Sequence, residues 1–295
     1  MGYLLMALAL AGGLVKGFTG KSISRDVVSL SDGFTVNTAR CIFSSVIALI
    51  LVLVDGGIGA LVLTPTGFLV SAASAVFMAM FAVAWLYAYK SEAYIFLSVF
   101  TMLGSVITAL LGFIFYGDPL SIPRIIGMVV LAAAVYVMSL YNKSIRGKFT
   151  LTGILTLLVG GVGVALADFM QKVFTKESLG SAYAFNFYTY ALAIIPQLLI
   201  LLILIKGKGE KISVGILDKR HIIIYLVISA ALYVNSLSKT LALGYLPSTQ
   251  MYPTLQAANL VASAILAAIL LKEKITVKSL VGIGLALAAV VLMNI

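Results

Sequence analysis

Gln256 and Asn259 stand about one helical turn apart inside an apolar stretch, and each carboxamide carries hydrogen-bonding sites that lipid cannot satisfy. Thr249, Tyr252, Gln256, Asn259 and Ser263 recur at steps of three and four, which places them along one helix face. Packing alone rarely needs two carboxamides a turn apart, so Gln256, Asn259 and Tyr252 lead the candidate substrate-binding set. Tyr94, Ser98, Thr101, Ser105 and Thr108 form a comparable stripe. Tyr94 and Thr101 are its binding candidates, while small hydroxyls also serve as hydrogen-bonding contacts between helices. A third series, Asn186, Tyr190 and Gln197, contributes Asn186, and Asn235 completes the polar candidates. Of the clustered aromatics Trp85, Tyr87, Tyr89 and Tyr94, Trp85 sits deepest and is the aromatic candidate for a cavity wall. The cluster otherwise fits an interfacial belt.

Charges inside apolar segments are few. Asp168 and Lys239 fall within one or two turns of the same membrane face, where pairing would remove two costly lone charges, and both are candidates for an ion pair or a coupling site. Lys16 and Arg40 approach the opposite face. There they either snorkel to headgroups or form a positive rim suited to a carboxylate or phosphate. Catalytic chemistry has little to draw on: the one histidine, His221, lies in the Lys219-Arg220-His221 junction, and no HExxH, GxSxG or GxxxxGK[ST] pattern occurs. No metal site, no cofactor and no direct ATP hydrolysis are expected, because a metal site needs several ligands. The single cysteine, Cys41, excludes an intrachain disulfide.

These side chains must be carried by membrane-spanning elements. The 295 residues are 62% hydrophobic and 10% charged, against roughly 45–50% and 25% in soluble domains. Ten apolar runs cover about residues 3–20, 34–54, 66–87, 94–116, 123–142, 152–174, 183–205, 220–242, 248–271 and 275–294. Each is continuous and long enough to cross a bilayer as a helix, which argues against a barrel of short alternating strands. Breaks such as Asp55-Gly56-Gly57, Gly117-Asp118-Pro119 and Asn142 to Lys148 separate them. The expectation is an all-α integral membrane protein, multi-pass, with the first span retained and with no room for a soluble domain. The net charge of +10 resides in short loops, so lipid headgroups rather than nucleic acid are the expected partner.

The chain also repeats itself. Asp118-Pro119-Leu120-Ser121 followed by Gly127 is matched by Glu273-Lys274-Ile275-Thr276 followed by Gly282, and Lys21 and Phe34 are matched by Lys172 and Phe185. Two five-helix units follow, residues 1–148 and 149–295. An odd number of spans per unit inserts the second upside down relative to the first, giving inverted repeats about an axis in the membrane plane.

On these features the sequence resembles the drug/metabolite transporter superfamily, specifically its ten-helix EamA-type members. The resemblance covers the whole chain and rests on the duplicated unit, Asp118 and Glu273 after the fourth helix of each, Gly127 and Gly282, Lys21 and Lys172 at first-helix ends, and Arg40. It implies a central cavity between the halves and alternating access to it. Small multidrug relatives couple protons through a glutamate on their first helix; here Gly13 and Val164 fall at that place, so proton-coupled export of lipophilic cations by that route is not expected.

Lys and Arg concentrate in the loops that follow odd-numbered spans, which by the positive-inside rule puts both termini outside, whereas the resemblance implies termini inside. The functional expectation is a secondary transporter, in the cell membrane, for a small polar or amphipathic metabolite such as an amino acid or related compound. A flippase for a lipid-linked carrier is the alternative, and a membrane-embedded enzyme a weaker one. Oligomeric state is left open.

Overall fold

The computed structural model describes residues 1–24, 26–90, 94–139, 151–213, 218–270 and 277–295, less some side chains near these breaks. Among the described residues the chain forms ten α-helices and no strand: α1 (Gly2–Ser24), α2 (Leu30–Gly56), α3 (Pro65–Lys90), α4 (Tyr94–Tyr116), α5 (Ile122–Ser139), α6 (Leu151–Lys176), α7 (Ala182–Lys208), α8 (Lys219–Ala242), α9 (Ser248–Leu270) and α10 (Val277–Asn294). A short 3-10 turn, Ile58–Leu61, joins α2 to α3. Six helices, α1, α2, α3, α6, α7 and α8, are long and apolar enough to cross a membrane by length and composition, and α4, α5 and α10 carry shorter apolar stretches. Gln250, Gln256 and Asn259 make α9 more polar than α4 and α10, against which it packs.

The helices pack in a pattern that survives exchanging each helix with the one five places on. α1 lies against α8 as α6 lies against α3, and α3 meets α7 as α8 meets α2. The pairs α2–α7, α4–α9 and α5–α10 are each their own counterpart, as expected around a pseudo-twofold axis. The burial pattern is that of a protein in lipid: Val54, Leu69, Ile114, Phe115, Val129 and Ile203 face outward, while Lys172, Asn186, Gln197 and Thr249 are buried.

Glycine permits the closest crossings. A Cβ on Gly161 of α6 would stand 2.5 Å from the Phe100 carbonyl oxygen of α4, and one on Gly104 of α4 would stand 2.6 Å from the Gly161 carbonyl oxygen. Only two residues without side chains let these backbones touch. Gly127, one of the repeated residues, likewise lets α5 lie against Met293 and Ala289 of α10.

Helix ends are fixed by side chains. Ser29 and Asp32 form a capping box at the start of α2. Asp32 also accepts from the Ser213 backbone N–H at 2.8 Å and its hydroxyl at 2.9 Å, which ties α2 to the segment after α7. Both chain termini lie at the same end of the bundle, where the Tyr3 hydroxyl donates to Asn294 Oδ1 at 3.2 Å. That end is packed shut by Leu5, Met6 and Ala9 of α1 against Met251, Tyr252 and Leu255 of α9 and Ala242 and Leu243.

Candidate functional site

A cavity of about 380 Å³ lies between the two sets of helices, with walls contributed by α1 to α9. Its size falls within the range of small-molecule sites. Of the sequence-derived candidates, Trp85, Thr101, Asn235, Tyr252, Gln256 and Asn259 line it, as do Asp168 and Lys239.

The end of the cavity nearer the termini is built from α6, α8 and α9. Lys239 Nζ donates to Asp168 Oδ1 in a nearly buried ion pair, so the two intramembrane charges do meet. The same ammonium lies 5.5 Å from the centre of the Tyr252 ring, within cation–π range. The Tyr252 hydroxyl donates to the Asp168 carbonyl at 2.7 Å and to Gln171 Oε1 at 3.2 Å, and Gln171 Nε2 donates to Ser236 at 3.0 Å. Tyr252 is therefore held by the network as well as facing the cavity. Asn235 contributes its amide to the Ala9 carbonyl at 2.6 Å, fixing α8 on α1 beside the wall.

Toward the other end, Arg40 of α2 donates through Nη1 to Asn37 Oδ1 at 3.0 Å, and its guanidinium carbon lies 5.3 Å from the Trp85 ring centre. Lys16 of α1 lies on the same cavity, within electrostatic range of Arg40, Lys239 and Asp168. The sequence left two placements open for Lys16 and Arg40, snorkelling to headgroups or a positive rim, and both residues line the cavity.

Several polar candidates serve packing instead. Asn186 is fully buried away from the cavity lining and donates to the Ala182 carbonyl at 2.8 Å and to Thr240 Oγ1 at 3.2 Å, bonding α7 to α8. Ser105 bonds to Met102 within α4, and Thr108 reaches the Ala165 carbonyl of α6 at 3.0 Å, while Thr101 of the same stripe lines the cavity. Thr249 bonds to the Pro119 carbonyl at 2.7 Å, leaving Tyr252, Gln256, Asn259 and Ser263 as the cavity-facing part of its stripe. The side chains of Lys21, Tyr87, Tyr89, Tyr94 and Ser98, and the whole of Glu273, lie outside the described residues.

Comparison with known proteins adds the decisive observation. The sequence profile of the EamA-like transporter family matches residues 3–140 and, a second time, residues 151–295. The chain belongs to the EamA-like transporter family. No curated protein matches it. A solved structure described only as a crystal structure of a protein superposes with a TM-score of 0.78 at 12% identity, covering 99% of this chain and 95% of that one. At that identity the likeness speaks for the fold alone. As an EamA-like protein the chain is a multi-pass membrane transporter of the drug/metabolite type, and the two matched segments account for its packing symmetry.

Asn37, Gln171, Thr189 and Ser236 also line the cavity and were not singled out from the sequence. The signal was present for Asn37 and Gln171, each a carboxamide within an apolar span. Thr189 and Ser236 gave none, because a single hydroxyl in a span is ordinary.

Proposed function

We propose that the chain is a secondary transporter that binds a small polar metabolite, an amino acid or related compound, in the central cavity and exposes that cavity alternately to the two sides of the membrane. The observation that supports this reading is a small-molecule-sized chamber whose polar wall draws on both repeats, residues 1–148 and 149–295. Gln256 and Asn259 of α9 supply donors and acceptors toward the solute, with Thr101, Tyr252 and Asn235 beside them and Trp85 offering an aromatic surface. Arrangement of binding groups near the midplane between inverted repeats is the recurring design of secondary transporters. The Asp168–Lys239 pair bridges α6 and α8 at the cavity edge, where a solute that competes for either charge would loosen one helix from the other.

The test is uptake by proteoliposomes of labelled amino acids, nucleosides, sugars, organic acids and quaternary amines. A solute that accumulates with the wild type and loses most of its uptake in Gln256→Ala and Asn259→Ala supports the reading. Lipid scrambling by the same vesicles, with no solute accumulated, would replace it by a flippase.

A further inference from the structure

The cavity wall formed by α2 and α7 carries polar atoms with nothing to bond. Asn37 of α2 and Thr189 and Gln197 of α7 all line the cavity, with only 6%, 6% and 1% of their surface accessible. Yet Asn37 Nδ2, Thr189 Oγ1 and Gln197 Oε1 have no hydrogen-bond partner. Buried polar atoms are nearly always satisfied, so three orphans on one cavity wall mark a place where a ligand or water supplies the missing bonds.

Two of these residues share a patch. The Asn37 carboxamide oxygen accepts from Arg40 Nη1 at 3.0 Å, which fixes the amide with Nδ2 turned the other way. Cys41 stands one turn further along α2 on the same face, and its Sγ accepts from Gln197 Nε2 at 3.2 Å. Gln197 is thereby held within about one helical turn of Asn37, with its oxygen left over. Thr189, two turns away on the same face of α7, extends the wall along the cavity. One free donor and one free acceptor set the chemistry. A carboxylate only accepts and would face the Gln197 oxygen, while an ammonium only donates and would face the Asn37 amide hydrogens. A hydroxyl or a carboxamide does both. The described lining residues of α7, which are Thr189, Tyr190 and Gln197, bring no charge to this wall.

We infer that Asn37 and Gln197 determine specificity by binding an uncharged hydroxyl or carboxamide of the transported solute, which donates to Gln197 Oε1 and accepts from Asn37 Nδ2. This rests on the transporter reading above and deepens it, because Gln256 and Asn259 then hold one part of the solute and the wall of α2 and α7 another. The two groups stand on helices that pack separately, α9 against α10, α4 and α1, and α2 against α7. The solute therefore spans the chamber between them.

The experiment is equilibrium binding to the purified full-length protein by thermal shift and calorimetry, with amino acids matched in size: glutamine against glutamate and methionine, homoserine against norvaline. Glutamine or homoserine binds, and its charged or apolar counterparts bind at least about tenfold more weakly, since they leave one or both wall atoms unpaired. Which of the two binds tells a carboxamide from a hydroxyl. Gln197→Met narrows that ratio about fivefold or more, whereas a residue that only packs would weaken every member alike. Should Gln197→Met not fold, the wild-type series alone decides. Equal binding within both sets, which is a wall that holds water only, no binding in either set, a preference for glutamate, or an unchanged ratio in Gln197→Met overturns the inference. Vesicle uptake separates it from the transporter reading. Accumulation of methionine or norvaline as fast as of the polar members, with Gln197→Met unaffected, keeps the transporter and sinks the subsite. Binding with the expected preference and no solute accumulated keeps the subsite and sinks the transporter.

Discussion

Lys172 and Asp118 meet in a buried ion pair 2.7 Å long, one residue from each matched segment of the chain. The Asp118 carboxylate sits in the turn between α4 and α5 and also accepts from the Ser248 backbone N–H at 2.7 Å and from the Ser248 hydroxyl. It thereby caps α9, where a negative charge is favoured by the helix dipole. One carboxylate thus fastens α6 and α9 to the end of α4 on the side of the termini.

Removing one member of this pair strands the other. Asp118→Ala leaves a fully buried ammonium, and about 3–5 kcal/mol of stability should be lost. Asp118→Asn combined with Lys172→Met should recover much of that loss. Thermal melting in detergent checks both, and a single variant as stable as wild type would contradict the pairing.

The glycine contact of α4 with α6 sets a second expectation. Gly161→Ala places its methyl carbon 2.5 Å from a backbone oxygen that no side-chain rotation can relieve. Overpacking of this kind costs about 1–3 kcal/mol. Chemical denaturation or melting of Gly161→Ala, with the open position Gly17→Ala as control, measures the difference.

The ion pair at the cavity edge should behave as a coupled unit. Asp168→Asn and Lys239→Met should each impair folding or uptake severely, while the double variant should fold better than either single one. Additive effects would mean the two residues act independently.

Tyr252 separates support from binding. Tyr252→Phe removes a hydroxyl that bonds Asp168 and Gln171, for a cost of about 0.5–1.5 kcal/mol, yet keeps the ring. The protein should fold with a modestly lowered melting temperature, and Tyr252→Ala should lose far more. Both are read by melting and by uptake of whichever solute the vesicle assay identifies.

Outside the membrane, Asp218 caps α8. Hydrogen bonds from the His221 backbone and ring hold its carboxyl below the usual carboxylate range. A depressed carboxyl contributes stability above its unfolded pKa of about 3.9 and loses it as pH falls through the folded value. The stability gap between wild type and Asp218→Ala should therefore stand near its full size at about pH 5 and shrink below about pH 4. A gap unchanged down to pH 3 would exclude this role.

Hydropathy alone was enough for the ten helices, because lipid demands continuous apolar runs at nearly the same length each time. The internal match of Asp118 to Glu273 and Gly127 to Gly282 pointed to the repeated unit, which the profile matches and the packing symmetry bear out. Asp168 and Lys239 were legible as partners because two lone charges at one depth have few alternatives. Asn186 was not separable from Tyr190 and Gln197, since one stripe can be split by a small rotation of the helix, and only packing decides which member turns to α8 and which to the cavity. The bond from Lys172 to Asp118 was likewise hidden: it joins residues 54 apart through the contact of different repeats, and no local spacing encodes it.

The meeting of Gly104 with Gly161 has a mechanical consequence. With backbone resting on backbone and Thr108 bonded across to Ala165, α4 and α6 have no compressible layer of side chains between them. Any cycle of opening must carry them as one body, so the hinge line of the molecule does not coincide with the border between its duplicated segments.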